Sequence, residues 1–224
     1  MHYQRYLATY SLIILNILMY IVTIFYTKEI DNFSLQKLIH LGAINGLLVV
    51  LKGEWYRVFT AMFLHGGLMH IVMNMFSLYI IGKAVELHFS KISYIMIYIL
   101  SGIFGSLVSL YIHSNNIGVG ASGAIFGLFG AIIGFFLYHK DQLGTQAKDI
   151  LKELIVILGI NLILGLTISS IDLSAHIGGL FVGIIGGYTI NRYPKSHLFF
   201  TTIVLIAMIV FKNILESSYV QIYF

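Results

Sequence analysis

Seven apolar runs of membrane-span length, joined by mostly short polar loops, limit what this chain can fold into. They lie at 8–26, 67–85, 92–112, 121–138, 150–169, 175–191 and 198–214. A helix needs about 20 apolar residues to cross a bilayer. In lipid every backbone N–H and C=O must be paired within the chain, which leaves helices or closed barrels, and runs this long read as helices. The expected fold is therefore all-α, a polytopic membrane helix bundle occupying residues 1–224 as a single domain. Only 10% of the residues are charged and 58% are hydrophobic, against about 25% charged in soluble domains. The spans use up the length, leaving no room for a soluble domain.

Composition excludes several chemistries. The chain has no cysteine, so disulfides, thiolate nucleophiles and cysteine-based metal sites are ruled out. The net charge of +4 needs no nucleic-acid partner, because basic loop ends that face lipid headgroups account for it. The first run lacks a small-residue cleavage site soon after it and reads as a retained span. The absence of a targeting extension points to a bacterial or archaeal plasma membrane, a bacterial one first.

One connection is long, residues 27–66, and mixes Leu35, Leu38, Ile39 and Leu41 with Lys28, Lys37 and Lys52. It reads as a partly helical insertion in the membrane interface. The single proline, Pro194, falls in the loop before the last run. With the N-terminus inside, Arg5, Lys83, Lys91, Lys140, Lys148, Lys152, Arg192 and Lys195 gather on the cytoplasmic side. Lys28, Lys37, Lys52, Arg57 and Lys212 fall outside, four of them in the long loop. The expected orientation is N-terminus in, C-terminus out.

On that topology the second, fourth and sixth spans all run from outside to inside. His70 and Asn74 lie in the first two turns of the second, Ser122 opens the fourth, and His176 opens the sixth. Polar side chains in a span are costly and face a partner or a wet cavity. Ser122 sits between Gly120 and Gly123, which exposes its Oγ beside backbone N–H groups, as a nucleophile and an oxyanion require. His70 and Asn74, four apart, share a helix face. His176 heads a stripe of Gly179, Gly183 and Gly187, and the fourth span carries Gly123, Gly127, Gly130 and Gly134. Two such faces let helices approach closely. Ser122 lies a quarter turn off its own stripe, so a Ser122–His176 contact calls for irregular backbone near Gly120.

A Ser–His–acid triad would need a buried carboxylate at the histidine. The nearest in sequence is Asp172, four residues earlier in a loop. The residues therefore suit a dyad, with Ser122 as nucleophile and His176 as general base and then acid. The Ser122 N–H, Asn74 and His70 would hold the oxyanion. No metal or cofactor is called for.

These residues carry a family likeness. Glu54-Trp55-Tyr56-Arg57, the stretch His65-Gly66-Gly67-Leu68-Met69-His70-Ile71-Val72-Met73-Asn74, Gly120-Ala121-Ser122-Gly123, and Ala175-His176-Ile177-Gly178-Gly179 with Gly183 occur in that order. In this the chain resembles the rhomboid intramembrane serine proteases over essentially its whole length. The resemblance implies a six-helix core plus a C-terminal seventh helix, here 198–214. It implies Ser122 as nucleophile, His176 as base, and His70 and Asn74 as oxyanion stabilisers. Its substrates would be membrane-spanning proteins, single-pass ones first, cut where small or helix-breaking residues let the helix unwind. Two positions depart from the pattern. Phe126 stands where some members have a tyrosine packed on the catalytic histidine, and Tyr56 precedes Arg57 where a tryptophan is frequent.

Blander readings compete residue by residue. His65 reads as an interfacial residue that faces water or orients the first loop. Glu54 and Arg57 read as a tie within that loop, and the glycines as packing residues. Read alone, His70, Asn74 and His176 suit inter-helix hydrogen bonding equally well. A rival function is a histidine-lined transporter, against which the polar residues gather at one end and line no route through the membrane. Another is a catalytically inactive rhomboid-like binding or chaperone protein, which would have no use for both Ser122 and His176.

Overall fold

The structure, a computed structural model, describes residues 6–115, 117–167, 171–192 and 196–223. Arg5, Pro194 and Lys195, used in the loop and charge readings above, lie outside them. Seven long helices account for the apolar runs: α1 (Leu7–Thr27), α4 (Leu68–His88), α5 (Lys91–Ile112), α6 (Ser122–Leu143), α7 (Thr145–Thr167), α8 (Leu173–Arg192) and α9 (Ser196–Tyr223). Six of them are long and apolar enough to cross a membrane among the described residues. The remaining one, α7, has Lys148, Asp149, Lys152 and Glu153 in its first turns. The chain is a multi-pass membrane protein built as a helix bundle.

The centre of the bundle is α6, whose buried residues run from Gly123 to Phe136 on nearly every side. It packs mainly on α8, while α5 flanks both, α4 and α1 lie on one side, and α7 runs along the edge of α6. Glycines set the α6–α8 spacing. A Cβ on Gly179 would run into the carbonyl of Gly123, one on Gly183 into that of Gly127, and one on Gly187 into that of Ala131. Backbone thus packs on backbone along three turns, the close approach expected of small-residue faces. Any larger residue would push the two helices, and the groups they carry, apart.

The helix starts are tied to distant parts of the chain. The Glu86 carboxylate of α4 accepts from the N–H groups of Ala8 (2.8 Å) and Thr9 (3.0 Å), capping α1 from another helix. Asp31 does the same for α4, taking the Leu68 N–H at 2.7 Å. Such acceptors meet the unpaired first-turn donors and the positive end of the helix dipole.

The long connection is partly helical, as its composition suggested. It holds α2 (Leu35–His40), a π-helical turn at Leu47–Leu51, α3 (Arg57–Thr60) and a 3₁₀ turn at Ala61–Phe63. It also contains a strand the sequence did not announce. β1 (Ile44–Asn45) pairs antiparallel with β2 (Ile117–Gly118), Ile44 opposite Gly118 and Asn45 opposite Ile117. This short ladder fastens the first loop to the segment that enters α6.

Arg57 anchors the loop from within. The residue is 6% exposed; its guanidinium donates to the carbonyls of Ile39 (2.5 Å) and Ala43 (3.1 Å) and meets Glu54 through Nε at 2.6 Å. The bonds from Arg57 hold the Glu54 carboxyl below the usual range. The Glu54–Arg57 pair is thus the structural tie its spacing suggested.

Candidate active site

The site is assembled at the end of the bundle where α4, α6 and α8 begin. Ser122 is the first residue of α6 and is half-buried. The preceding Gly120 has φ of +125°, a region that residues with a Cβ avoid. Its N–H donates to the Ala61 carbonyl at 2.9 Å. This is the irregular backbone that the Ser122 register required. Among the described residues no side chain caps α6, and its first turn contains no acidic residue. The starts of α1 and α4, by contrast, are each met by a distant carboxylate.

His70 faces that opening. Its Nδ1 accepts a long hydrogen bond from the Gly66 N–H at 3.4 Å, which leaves the proton of a neutral ring on Nε2. That Nε2–H edge lies against Gly120, where an added Cβ would come within 2.8 Å of it. Asn74, buried, donates one amide hydrogen from Nδ2 to the His70 carbonyl at 3.1 Å. An amide has a second hydrogen, and Asn74 Nδ2 is 3.8 Å from the same point above Gly120. Two side-chain donors of α4 therefore converge two residues before Ser122.

His176, 7% exposed, lies one turn into α8, directly across the glycine contact. Phe126, on the next turn of α6 after Ser122, stacks flat on the imidazole with centroids 4.1 Å apart and planes 12° apart. The phenyl ring thus fills the position where a tyrosine was the alternative. Its face fixes the plane of the imidazole without using a ring nitrogen. His176 Nδ1 is buried with no hydrogen-bond partner, and no hydrogen bond joins Ser122 to His176 among the described residues. The two sit on adjacent helices with no third helix between them. Catalytic hydrogen bonds are commonly long in the free enzyme and tighten with substrate.

Asp172 and His65 have roles the sequence did not define. Asp172 Oδ1 takes the Ala175 N–H at 3.0 Å and the Ser174 hydroxyl at 2.5 Å, while Oδ2 takes the Ser109 hydroxyl of α5. It is the N-cap of α8 and pins that helix start to α5. Its oxygens are committed to the backbone and to hydroxyls rather than to the His176 ring. The interfacial, water-facing position expected for His65 is corrected here. His65 is 0% exposed and sits edge-on to His70, centroids 5.2 Å apart. Burial, with the neighbouring His70, pushes its pKa down to about 3, so it is neutral packing behind His70. A histidine five residues from another, with two glycines between them, was the signal available, but it did not reveal the burial.

No group of three or more His, Asp or Glu side chains suited to a metal occurs among the described residues. The four residues singled out from the sequence, Ser122, His176, His70 and Asn74, all belong to this one end of the bundle.

The family model described as "Rhomboid domain" matches residues 52–193, a stretch that contains all four motifs and leaves out α1 and α9. The chain is 36% identical over 208 residues to rhomboid protease GluP of Bacillus subtilis, covering 90% of this chain and 39% of that one. It is 39% identical over 166 residues to RHOMBOID-like protein 6, mitochondrial, of Arabidopsis thaliana, covering 74% of this chain and 52% of that one. RHOMBOID-like protein 1 of the same plant is 36% identical over 169 residues, covering 75% and 42%. The chain thus spans about half the length of these relatives or less.

Proposed function

The chain belongs to the rhomboid family, and from that membership we propose that it is an intramembrane serine endopeptidase acting through a Ser122–His176 dyad. Ser122 Oγ attacks the scissile carbonyl carbon as His176 takes its proton. The carbonyl oxygen becomes an oxyanion, met by the Ser122 N–H, the His70 Nε2–H and the free amide hydrogen of Asn74. Collapse breaks the C–N bond and His176 returns the proton to the leaving amine. Water, activated by the same imidazole, then hydrolyses the acyl ester. The observation that carries this reading is convergence. Phe126, one turn beyond Ser122, lies flat on His176, while His70 and Asn74 close on Gly120 from a third helix.

Substrates on this reading are single-pass membrane proteins with glycine or alanine near the outer end of their helix. A strained, easily unwound segment supplies the extended backbone that the open start of α6 can bind. With α7 counted as a crossing, the Lys and Arg placement favours a cytoplasmic N-terminus and an outward-facing site. The membrane proposed for it is a bacterial plasma membrane, as expected from the sequence.

A fluorophosphonate probe should label the wild-type chain in detergent and fail on Ser122→Ala. Ser122→Ala and His176→Ala should each lower cleavage of a spanning substrate by more than about 10³-fold with the melting temperature unchanged. Cleavage retained by either variant rejects the dyad. A folded wild-type chain that neither cleaves nor labels identifies an inactive family member instead.

A further inference from the structure

We propose that Tyr219, near the C-terminal end of α9, is a positioning residue that holds the segment leading to Ser122; the inference rests on the protease reading above. Tyr219 is 1% exposed, among the most buried side chains of a helix that otherwise faces largely outward. Its hydroxyl lies between two carbonyls, Leu110 at 3.1 Å and Ser114 at 3.0 Å, which share its one hydrogen. The Leu110 carbonyl belongs to the last turn of α5, where carbonyls have no partner within the helix. The Ser114 carbonyl starts the connection that becomes β2, then Gly120, then Ser122. One phenol therefore spans the end of α5 and the root of the nucleophile segment.

The opposite side of that segment is pressed against the same residue. Gly46, which follows β1, has no room for a Cβ, because one would meet the Tyr219 hydroxyl and the Ser114 carbonyl. Two turns earlier on α9, Lys212 lies 5.0 Å from the Trp55 ring centroid of the first loop and pairs with Glu216 at 2.6 Å. Tyr223 bonds Asn115 beside Ser114. The last three turns of α9 thus close over the joint between first loop, β1–β2 ladder and α5. From there the chain reaches Ser122 through Gly120, whose N–H is fastened to Ala61. Any slack at Ser114 has a short path to the hydroxyl that attacks and to the open amides of α6. Substrate contacts are not part of this path, so the step it governs is chemistry and not binding.

The test is Tyr219→Phe in the full chain in detergent, which removes one oxygen and keeps the ring. Amide exchange over residues 117–120 should speed up about fivefold and kcat should fall about fivefold, the order set by one neutral hydrogen bond. KM should not move, and the melting temperature should fall by no more than about 2–4 °C, the cost of that same bond. Gly46→Ala, which forces the same joint open from the other side, should reproduce the kcat loss. Unchanged kcat, with or without faster exchange, overturns the proposal. So does a fall in melting temperature with kcat and KM changing together, the mark of a merely structural residue. A wild-type chain that neither cleaves nor labels with fluorophosphonate sinks the protease reading itself, and this inference with it.

Discussion

The helices that carry Ser122 and His176 begin at the same end of the bundle and are finished in opposite ways. The start of α8 is closed. Asp172 fills the N-cap and takes a backbone N–H and two hydroxyls, one of them from α5. The start of α6 has no side-chain cap and no acidic residue in its first turn. Where a helix start only has to hold a base in place, a carboxylate satisfies the donors and offsets the dipole. Where negative charge has to develop during reaction, a resident carboxylate would occupy the donors and repel the oxyanion. The difference separates a group that is held from a group that is kept available.

That contrast can be broken most sharply at Gly120. Gly120→Ala places a Cβ against His70 on a backbone of φ +125°. It should lower cleavage by about 10³-fold, the upper end for displacing a donor, and cost about 1–3 kcal/mol of stability through strain. Wild-type turnover in that variant would show that the open start of α6 is not needed. Next comes Asn74→Ala, expected to lower kcat about 10²-fold, the scale of one lost oxyanion donor, with KM little changed. If KM rises and kcat holds, Asn74 binds substrate and not the oxyanion. The smallest effect is expected on the closed side. Asp172→Ala should cost about 1 kcal/mol, read as a lower melting temperature, and Asp172→Asn should cost almost nothing because Asn caps equally well. Should Asp172→Asn lose activity as severely as Asn74→Ala, the carboxylate has a part in the chemistry and the distinction between the two starts fails.

Much of the fold was legible because its causes are local. Run length and missing charge gave the long helices, from Leu7–Thr27 to Ser196–Tyr223, most with ends moved by a few residues, the last one ending nine residues beyond the run 198–214. Glycine spacing foretold the α6–α8 contact, since each stripe records its own helix face, although Ala131 and not Gly130 meets Gly187. The likeness of four short motifs supplied the roles proposed for Ser122, His176, His70 and Asn74. His65 was misplaced, because nothing in the motif distinguishes a histidine facing water from one packed behind another histidine. The caps of α1 and α4, and the tie of α8 to α5, went unseen for a plainer reason: Asp31 lies 37 residues from Leu68, Glu86 lies 78 from Ala8, and Asp172 lies 63 from Ser109.

The sequence by itself determined that this chain crosses a membrane as helices and which faces of those helices are narrow or polar. Transfer from water to lipid is a sum over consecutive residues, and helical periodicity maps each residue onto a face. Only the tertiary structure decided which helix starts are closed by distant carboxylates, which one stays open beside Gly120, and that the last helix closes over the joint at Ser114. Hydrogen bonds act over about 3 Å, so their partners are chosen by packing in space and not by order along the chain.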